Sequence, residues 1–424
     1  MAYQFQDIKR NKIPELLVPV GNLNTLEYAI AYGADAVYLG GKKFNLRSLG
    51  SNFTVEELKK ASEYAHNKNV KIYLTLNSII FESELEELKK YLNEIKEIDF
   101  DGFIISDPGI ISLINNYFKN PRIHISTQTN ITNHLAVDFY SKIGASRVNI
   151  AREVKYKDLK DVIKNSKIEI EVFVHGALCI SYSGRCMLSK YMSGRDANKG
   201  ECAHSCRWKY YLLEEQRPNI FYNITQESDG TYIYNSRDLC LISKLDLLVQ
   251  AGVSALKIEG RMKTESYISQ TVWAYRKALD YIYEDKFTDE NKIFLLNELN
   301  KCSHRDYTLG YMFLNDLNEL EDNEGVKVCQ KYKFIGVCKE KIGNFKIPLI
   351  LVKNHFNKGE VIEILEPHKM PREVTINEIK IIKNNLEFSS DEANPNDTVI
   401  LKDIGNIDRY AILRKKVSNN GELL

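Results

Sequence analysis

Short apolar runs rich in β-branched residues alternate with amphipathic stretches along the first two thirds of the chain. The runs predict strands at "ELLVPVG" (15–21), "AVYLG" (36–40), "KIYLTLN" (71–77), "GFIIS" (102–106), "RIHISTQ" (122–128), "RVNIA" (147–151), "IEIEVFVHG" (168–176) and "ALKIEG" (255–260). Between them, stretches such as "TVEELKKASEYAHNK" and "SELEELKKYLNEIKEI" place apolar residues three and four apart, the period of a helix with one buried face. Eight strand–helix repeats predict an α/β fold, a (β/α)8 TIM-like barrel. Gly33 and Gly252, each just past a helical stretch and before a strand, suit a left-handed helix C-cap. Thr264 is an acceptable cap for a long amphipathic helix that closes the barrel domain, 1–285.

Two departures from this rhythm stand out. Strands seven and eight are separated by about 80 residues, far more than a βα loop needs, so the barrel carries a long insertion there. From residue 330 to 424 short alternating runs separated by turn residues predict a small C-terminal all-β barrel, with 286–329 as a helical and irregular connector.

With 58 Lys+Arg against 57 Asp+Glu the net charge is +1, which predicts neither a nucleic-acid partner nor an anionic membrane from charge alone. The opening stretch lacks the apolar core of a signal peptide, and no run reaches the roughly 20 apolar residues of a membrane span, so a cytoplasmic protein with no membrane partner is expected. In a reducing compartment the cysteines then change the picture. Four of the eight fall between residues 179 and 206, at the start of the insertion, where metal binding or chemistry is a better account than disulfides.

Cys179, Cys186, Cys202 and Cys206 read C-x6-C-x15-C-x3-C. Four thiolates suit a 4Fe-4S cluster; zinc is the second choice, because only the last pair has the spacing of a zinc knuckle, and unligated thiols are the third. Cys240, at an apolar position, is the alternative fourth ligand, with a core cysteine the plainer account. A barrel's active site forms at the C-terminal ends of its strands, and those ends carry Asn22, Asn77, Asp107, Gln128, Arg152, His175, Glu259 and Arg261. Each alone is explained by a helix cap or a loop hydrogen bond; their convergence predicts a polar pocket. His175, Glu259 and Arg261 are the candidate catalytic residues, and Asn22, Asn77, Gln128, Arg152 and Lys263 the candidate substrate-binding ones. Glu259, Arg261 and Lys263 suit the grip of an anionic small molecule, against the alternative of a salt bridge between Glu259 and Arg261 themselves. "KYKFIGVCKEKIGNFK" (331–346) interleaves Lys with aromatics as an RNA-contacting surface would, though a solvated Lys face is the commoner meaning. Neither H-E-x-x-H nor G-x-S-x-G occurs, and no Walker loop, so peptidase motifs and nucleotide dependence find no support.

The stretches "EVFVHGALCISYSGRC", "STQTNITN", "GECAHSCRW", "NSRDLC" and "LKIEGRMK", with the opening "ELLVPVGNLNTLEYAIAYGADAVYLGGKKFNLR", resemble in order the motifs of the collagenase-like peptidase family of unknown catalytic type, over nearly the whole chain. Among its members the chain is most similar to prephenate-dependent tRNA uridine hydroxylases. The resemblance implies a 4Fe-4S cluster on Cys179, Cys186, Cys202 and Cys206, and prephenate as co-substrate. It also implies the tRNA anticodon loop as partner, the wobble uridine as target and 5-hydroxyuridine as product. Arg152 or Arg261 would hold a prephenate carboxylate. Family members sometimes work in pairs, so a homologous partner subunit is a further expectation. Ribosomal RNA hydroxylation, peptidase activity and a zinc-stapled RNA- or protein-binding module are the alternatives.

Overall fold

The computed structural model describes residues 13–48, 50–179, 181–207, 225–227, 230–232, 237–314, 331–339 and 348–417. Eight parallel strands form the barrel: β1 (Glu15–Pro19), β2 (Ala36–Leu39), β3 (Lys71–Leu76), β4 (Gly102–Ile105), β5 (Arg122–Ile125), β6 (Ala145–Asn149), β7 (Glu169–Ala177) and β8 (Ala255–Ile258). Each pairs with the next, and β8 pairs with both β7 and β1, which closes the ring. Most expected strands end one to three residues early: their last residues leave the ladder and turn outward as loops. That is how the C-terminal mouth acquires its polar groups.

Alternation along each strand separates two layers. Leu16 and Val18 of β1 join the large core between sheet and helices, whereas Leu17 points inward to a small cluster with Ala36, Tyr38, Tyr73 and Ile104. Much of the remaining interior is charged, beside the neutral His124 against the Tyr73 ring. Arg147 donates to Glu15 (2.6 Å) and Glu169 (2.8 Å), and Lys257 and Asn149 both donate to Glu171, at 2.8 and 2.9 Å. Buried ions are tolerable only with partners, and each of these has one.

Local sequence explains the helix ends. Asn22 and Thr25 form a reciprocal capping box on helix Leu23–Ala31, and Thr54 and Glu57 do so on Val55–Asn67. Gly33 and Gly252 take the left-handed conformation expected of them, with φ of 104° and 87°. Thr264 is the N-cap residue of helix Glu265–Tyr283 by position, but its side chain makes no capping hydrogen bond.

The insertion leaves β7 at residue 178 and returns as a short strand, Asp238–Cys240, antiparallel to the end of β7. Within the 286–329 stretch, helix Asp289–Leu299 packs on helix Glu265–Tyr283 through Trp273 and Phe294, and Tyr307–Thr308 adds to the barrel's extra strand. The C-terminal region is an antiparallel all-β half-barrel of eight strands: β9 (Tyr332–Lys339), β10 (Leu349–Val352), β11 (Val361–Leu365), β12 (Arg372–Thr375), β13 (Ile379–Lys383), β14 (Leu386–Ser390), β15 (Thr398–Ile400) and β16 (Ile412–Lys416). The continuous run "VTINEIKII" divides into β12 and β13 because the Asp403 carboxylate accepts from the backbone amides of Asn377 (2.8 Å) and Glu378 (3.2 Å). The Lys–aromatic run 331–346 does not form an exposed RNA face where it is described. Tyr332 lies under Lys301 and Arg414, and Phe334 packs against the barrel core. Residues 340–347 lie outside the described residues.

Candidate functional site

The longest strand, β7, delivers the chain into the cysteine loop at the C-terminal mouth of the barrel. That loop is tied down at four places around the rim. Ser183 bonds the Glu153 carboxylate after β6 (2.6 and 2.5 Å), Arg185 Nε donates to the Gln128 carbonyl after β5 (2.5 Å), the Asn198 carbonyl accepts from Ile79 after β3 (3.2 Å), and Ser48 Oγ after β2 donates to the Lys199 carbonyl (3.3 Å). Lys199 also pairs with Glu84. Asn198 is buried and spans the backbone of Cys186, accepting from its amide (3.3 Å) and donating to its carbonyl (2.9 Å).

All four clustered cysteines are reduced and partly exposed, whereas Cys240 is buried. Burial raises the Cys179 thiol; the Ser181 backbone amide and the Arg152 guanidinium pull it down, and charges at Cys186 and Cys202 push it up again. Those three thiols therefore share one electrostatic environment. Four soft donors on one pinned loop match an iron–sulfur cluster or zinc in number and kind. Among the described residues no group of three His, Cys, Asp or Glu side chains is closed around a metal position.

Beside the thiols, Arg47 donates to Glu259 Oε1 at 2.8 Å, and Arg152 Nη2 lies 4.0 Å from Glu259 Oε2. Burial raises the Glu259 carboxyl, and Arg47, Arg152 and Arg261 more than offset this, so it stays charged. Three guanidiniums facing one carboxylate leave an excess of positive charge. Arg152 is fixed by a bond to the Ala177 carbonyl (2.8 Å) and lies over the Phe173 ring, 4.0 Å from its centroid. Its Nε and the Asn77 Oδ1 are buried with no hydrogen-bond partner, a donor and an acceptor that a polar ligand would satisfy.

The other expected site residues have local duties. Arg261 does not present its guanidinium to a substrate carboxylate: it is buried, donating to Thr75 (3.0 Å), Asn45 (2.8 Å) and Asn52 (2.5 Å). Burial and the nearby Arg47 lower it to about 10, so it remains a cation. Asn22 is spent on its helix cap, accepting from Thr25 at 2.9 Å, and Asp107 on a turn with Gly109 at 2.8 Å. Gln128 accepts from Ser106 at 3.0 Å. Lys263 lies over the Tyr267 ring, 5.1 Å from its centroid. His175 is not at the open mouth but in the core, ringed by Tyr267, Tyr275 and Tyr307, where burial pushes its imidazole down to about 3. Cys240 pairs with His175 across the extra strand, and burial pushes its thiol up to about 12. A thiol so disposed behaves as core.

Sequence reasoning missed Arg47, Asn45 and Asn52. The signal was present: a long loop after β2, "GGKKFNLRSLGSN", concentrates two amides and an arginine where a short connector would do. A cavity of about 800 Å³ opens at the opposite end of the strands, lined by Asp35, Lys71, Glu169, Arg276, His368 and Tyr410. Its Lys71 and Arg276 are paired with Glu15 and Asp35, and barrels work chemistry at the other face, so the thiol-bearing mouth is the candidate site.

Among the described residues no helix is long and apolar enough to cross a membrane. A family model for peptidase family U32 matches residues 21–322, and one for the C-terminal domain of that family matches residues 330–414. The "tRNA hydroxylation protein P1" of Bacillus subtilis (strain 168) is 36% identical over 358 residues, 84% of this chain and 84% of that protein. The "tRNA hydroxylation protein P" of Escherichia coli (strain K12) is 34% identical over 397 residues, 84% of this chain and 86% of that protein. The "23S rRNA 5-hydroxycytidine C2501 synthase" of E. coli (strain K12) is 34% identical over 272 residues, 64% of this chain but 40% of that protein.

Proposed function

The chain belongs to peptidase family U32, and on that premise we propose that it is a tRNA hydroxylase. In this reading it converts a wobble uridine to 5-hydroxyuridine with prephenate as co-substrate, and Cys179, Cys186, Cys202 and Cys206 hold a 4Fe-4S cluster. The observation that carries the reading is the meeting of the cysteine loop with excess guanidinium charge at the barrel mouth. The names of the two bacterial relatives supply the reaction class and the RNA substrate.

A bound cluster supplies one-electron redox chemistry beside the substrate. The chain's own groups bind and orient. Arg152, held by the Ala177 carbonyl and the Phe173 ring, offers its unpartnered Nε to a prephenate carboxylate, and Asn77 offers its Oδ1 to a hydroxyl. Glu259 fixes Arg47 next to Arg152, so a dianion meets two guanidiniums rather than one. The wobble base sits in an exposed loop and enters a pocket without opening a duplex. The cytoplasm, where tRNA resides, is the site of action, and a homologous partner subunit remains an element of the reading.

The test is iron, sulfide and zinc content of protein purified without oxygen, followed by nucleoside mass spectrometry of tRNA treated with and without prephenate. About four irons and four sulfides per chain are expected, lost in Cys179→Ala, Cys202→Ala and Cys206→Ala and kept in Cys240→Ala. Zinc alone, or metal indifferent to the first three substitutions, sinks the cluster. The ribosomal relative favours a second reading, in which the hydroxylated nucleoside is found in 23S rRNA and not in tRNA.

A further inference from the structure

Isolated exposed apolar side chains are ordinary, but the cysteine loop carries four large ones within eleven positions: Tyr182 (52% exposed), Met187 (65%), Tyr191 (87%) and Met192 (39%). Met187 and Tyr191 are one turn apart, with the Tyr191 amide bonded to the Met187 carbonyl at 2.9 Å, so they share a face of helix Leu188–Ser193. This face adjoins the thiols in sequence and in space. Met187 follows Cys186, and the Ser189 hydroxyl accepts from the Ala203 amide (2.9 Å), next to Cys202.

The flanking charge is positive. Arg185 and Arg195 are exposed, and among the described residues their side chains donate only to backbone carbonyls, of Gln128 (2.5 Å) and Cys202 (3.3 Å). Each keeps most of its five N–H donors for an outside partner. Lys190, between them, is held by Asp196 at 3.0 Å. Exposed flat rings between unpaired guanidiniums are the chemistry that grips single-stranded nucleic acid, by stacking on bases and by contact with phosphate. An apolar protein surface would leave the two guanidiniums unanswered, and a phospholipid headgroup would answer them but bring no flat base to the tyrosine rings.

We infer that the cysteine-loop face built from Met187 and Tyr191, flanked by Arg185 and Arg195, is a stacking platform for unpaired RNA bases beside the nucleotide that enters the barrel mouth. The inference rests on the RNA-hydroxylase reading and adds to it the surface that holds the loop.

The test is fluorescence anisotropy of the anaerobically purified full chain with a labelled anticodon stem-loop, a fully duplex RNA and an unstructured oligouridine. Tyr191→Ala is expected to weaken stem-loop binding about tenfold, and Tyr191→Phe to preserve it, because the ring and not the hydroxyl stacks. Arg195→Ala is expected to lower the salt dependence of log affinity by about one. Duplex binding is expected to be the same for Tyr191→Ala and Tyr191→Phe as for wild type. Equal stem-loop affinity for wild type and Tyr191→Ala overturns the platform, even if hydroxylation persists and the functional reading stands. A wild-type dimer that Tyr191→Ala converts to monomer, in sedimentation, overturns it in favour of a protein interface. Tyr191-dependent binding to oligouridine with no preference for the stem-loop keeps the platform and removes tRNA as its partner.

Discussion

Arg261 shows how one side chain joins three rim segments. Its guanidinium is the hub on which Asn45, Asn52 and Thr75 converge, and Gly40 lies so close that a Cβ there would sit 2.6 Å from the guanidinium. Removing the hub strands the buried Asn52 Oδ1, while Asn45 Oδ1 keeps the Arg47 amide and the Thr75 hydroxyl keeps the Leu39 carbonyl, so Arg261→Ala is expected to lower unfolding free energy by roughly 1–3 kcal/mol. Arg261→Lys should not restore it, since one ammonium cannot reach a fan of three acceptors. Urea titration of the two variants checks this; full stability of Arg261→Ala would return the residue to the list of free substrate ligands.

His175, ringed by Tyr267, Tyr275 and Tyr307, supplies a pH signature of the core. Its folded value near 3 lies below the ordinary 6.5, so between the two the unfolded chain binds a proton that the folded chain refuses. Stability from this residue is complete above about 6.5 and drains away as pH falls toward 3, at roughly 1.4 kcal/mol per pH unit. His124, also buried and held uncharged chiefly by desolvation, acts with the same sign. His175→Phe should therefore lose about 2 kcal/mol less than wild type between pH ~6.5 and ~5 in urea unfolding. Parallel losses would place the titration elsewhere.

At the scale of elements, the cysteine loop has little core of its own and is shaped by its ties to the rim. Asn198 is the central tie, because one amide satisfies both backbone groups of Cys186 while its own carbonyl accepts from Ile79. Asn198→Ala is expected to loosen the loop without unfolding the barrel. Trypsin should then cut after Lys190 or Arg195 at least about tenfold faster while the melting transition moves only a few degrees. Unchanged cleavage would show that Ser183 and Arg185 suffice to hold the loop. The sequence announced the loop by its length and its thiols, but the rim residues it would dock on are separated from it by 30 to 151 positions and carry no local mark.

At the scale of the whole molecule, one arginine joins the two main regions. Arg414 of the half-barrel is fully buried and bonds Glu363 of its own sheet, Glu298 of helix Asp289–Leu299 and Gln270 of the barrel's closing helix. Tyr32 adds hydrogen bonds to the carbonyls of Leu365 (2.8 Å) and Tyr410 (3.0 Å). Arg414→Ala leaves Lys301 as the one cation paired with the two buried carboxylates of Glu298 and Glu363, a cost of roughly 2–4 kcal/mol, and should lower the melting temperature of the whole chain as one transition. Two separate transitions in the wild type would mean that the regions fold independently and that this cluster joins them only weakly.

Periodicity was enough for the eight parallel strands, their helices and the all-β character of the C-terminal region, because each depends on neighbours a few residues apart: a buried face repeats every two or every 3.6 positions. Composition and spacing were likewise enough to single out Cys179, Cys186, Cys202 and Cys206 as a set, and the motifs to mark the family. What each polar residue does was decided by folding. Arg152 and Arg261 look alike at the ends of β6 and β8, yet one keeps an unpartnered Nε at the mouth and the other is enclosed by three side-chain oxygens. Arg47 became a site residue only through a carboxylate 212 positions away. A charged group's role follows from which partners and how much water surround it, and those are properties of the closed barrel that no stretch of chain contains by itself.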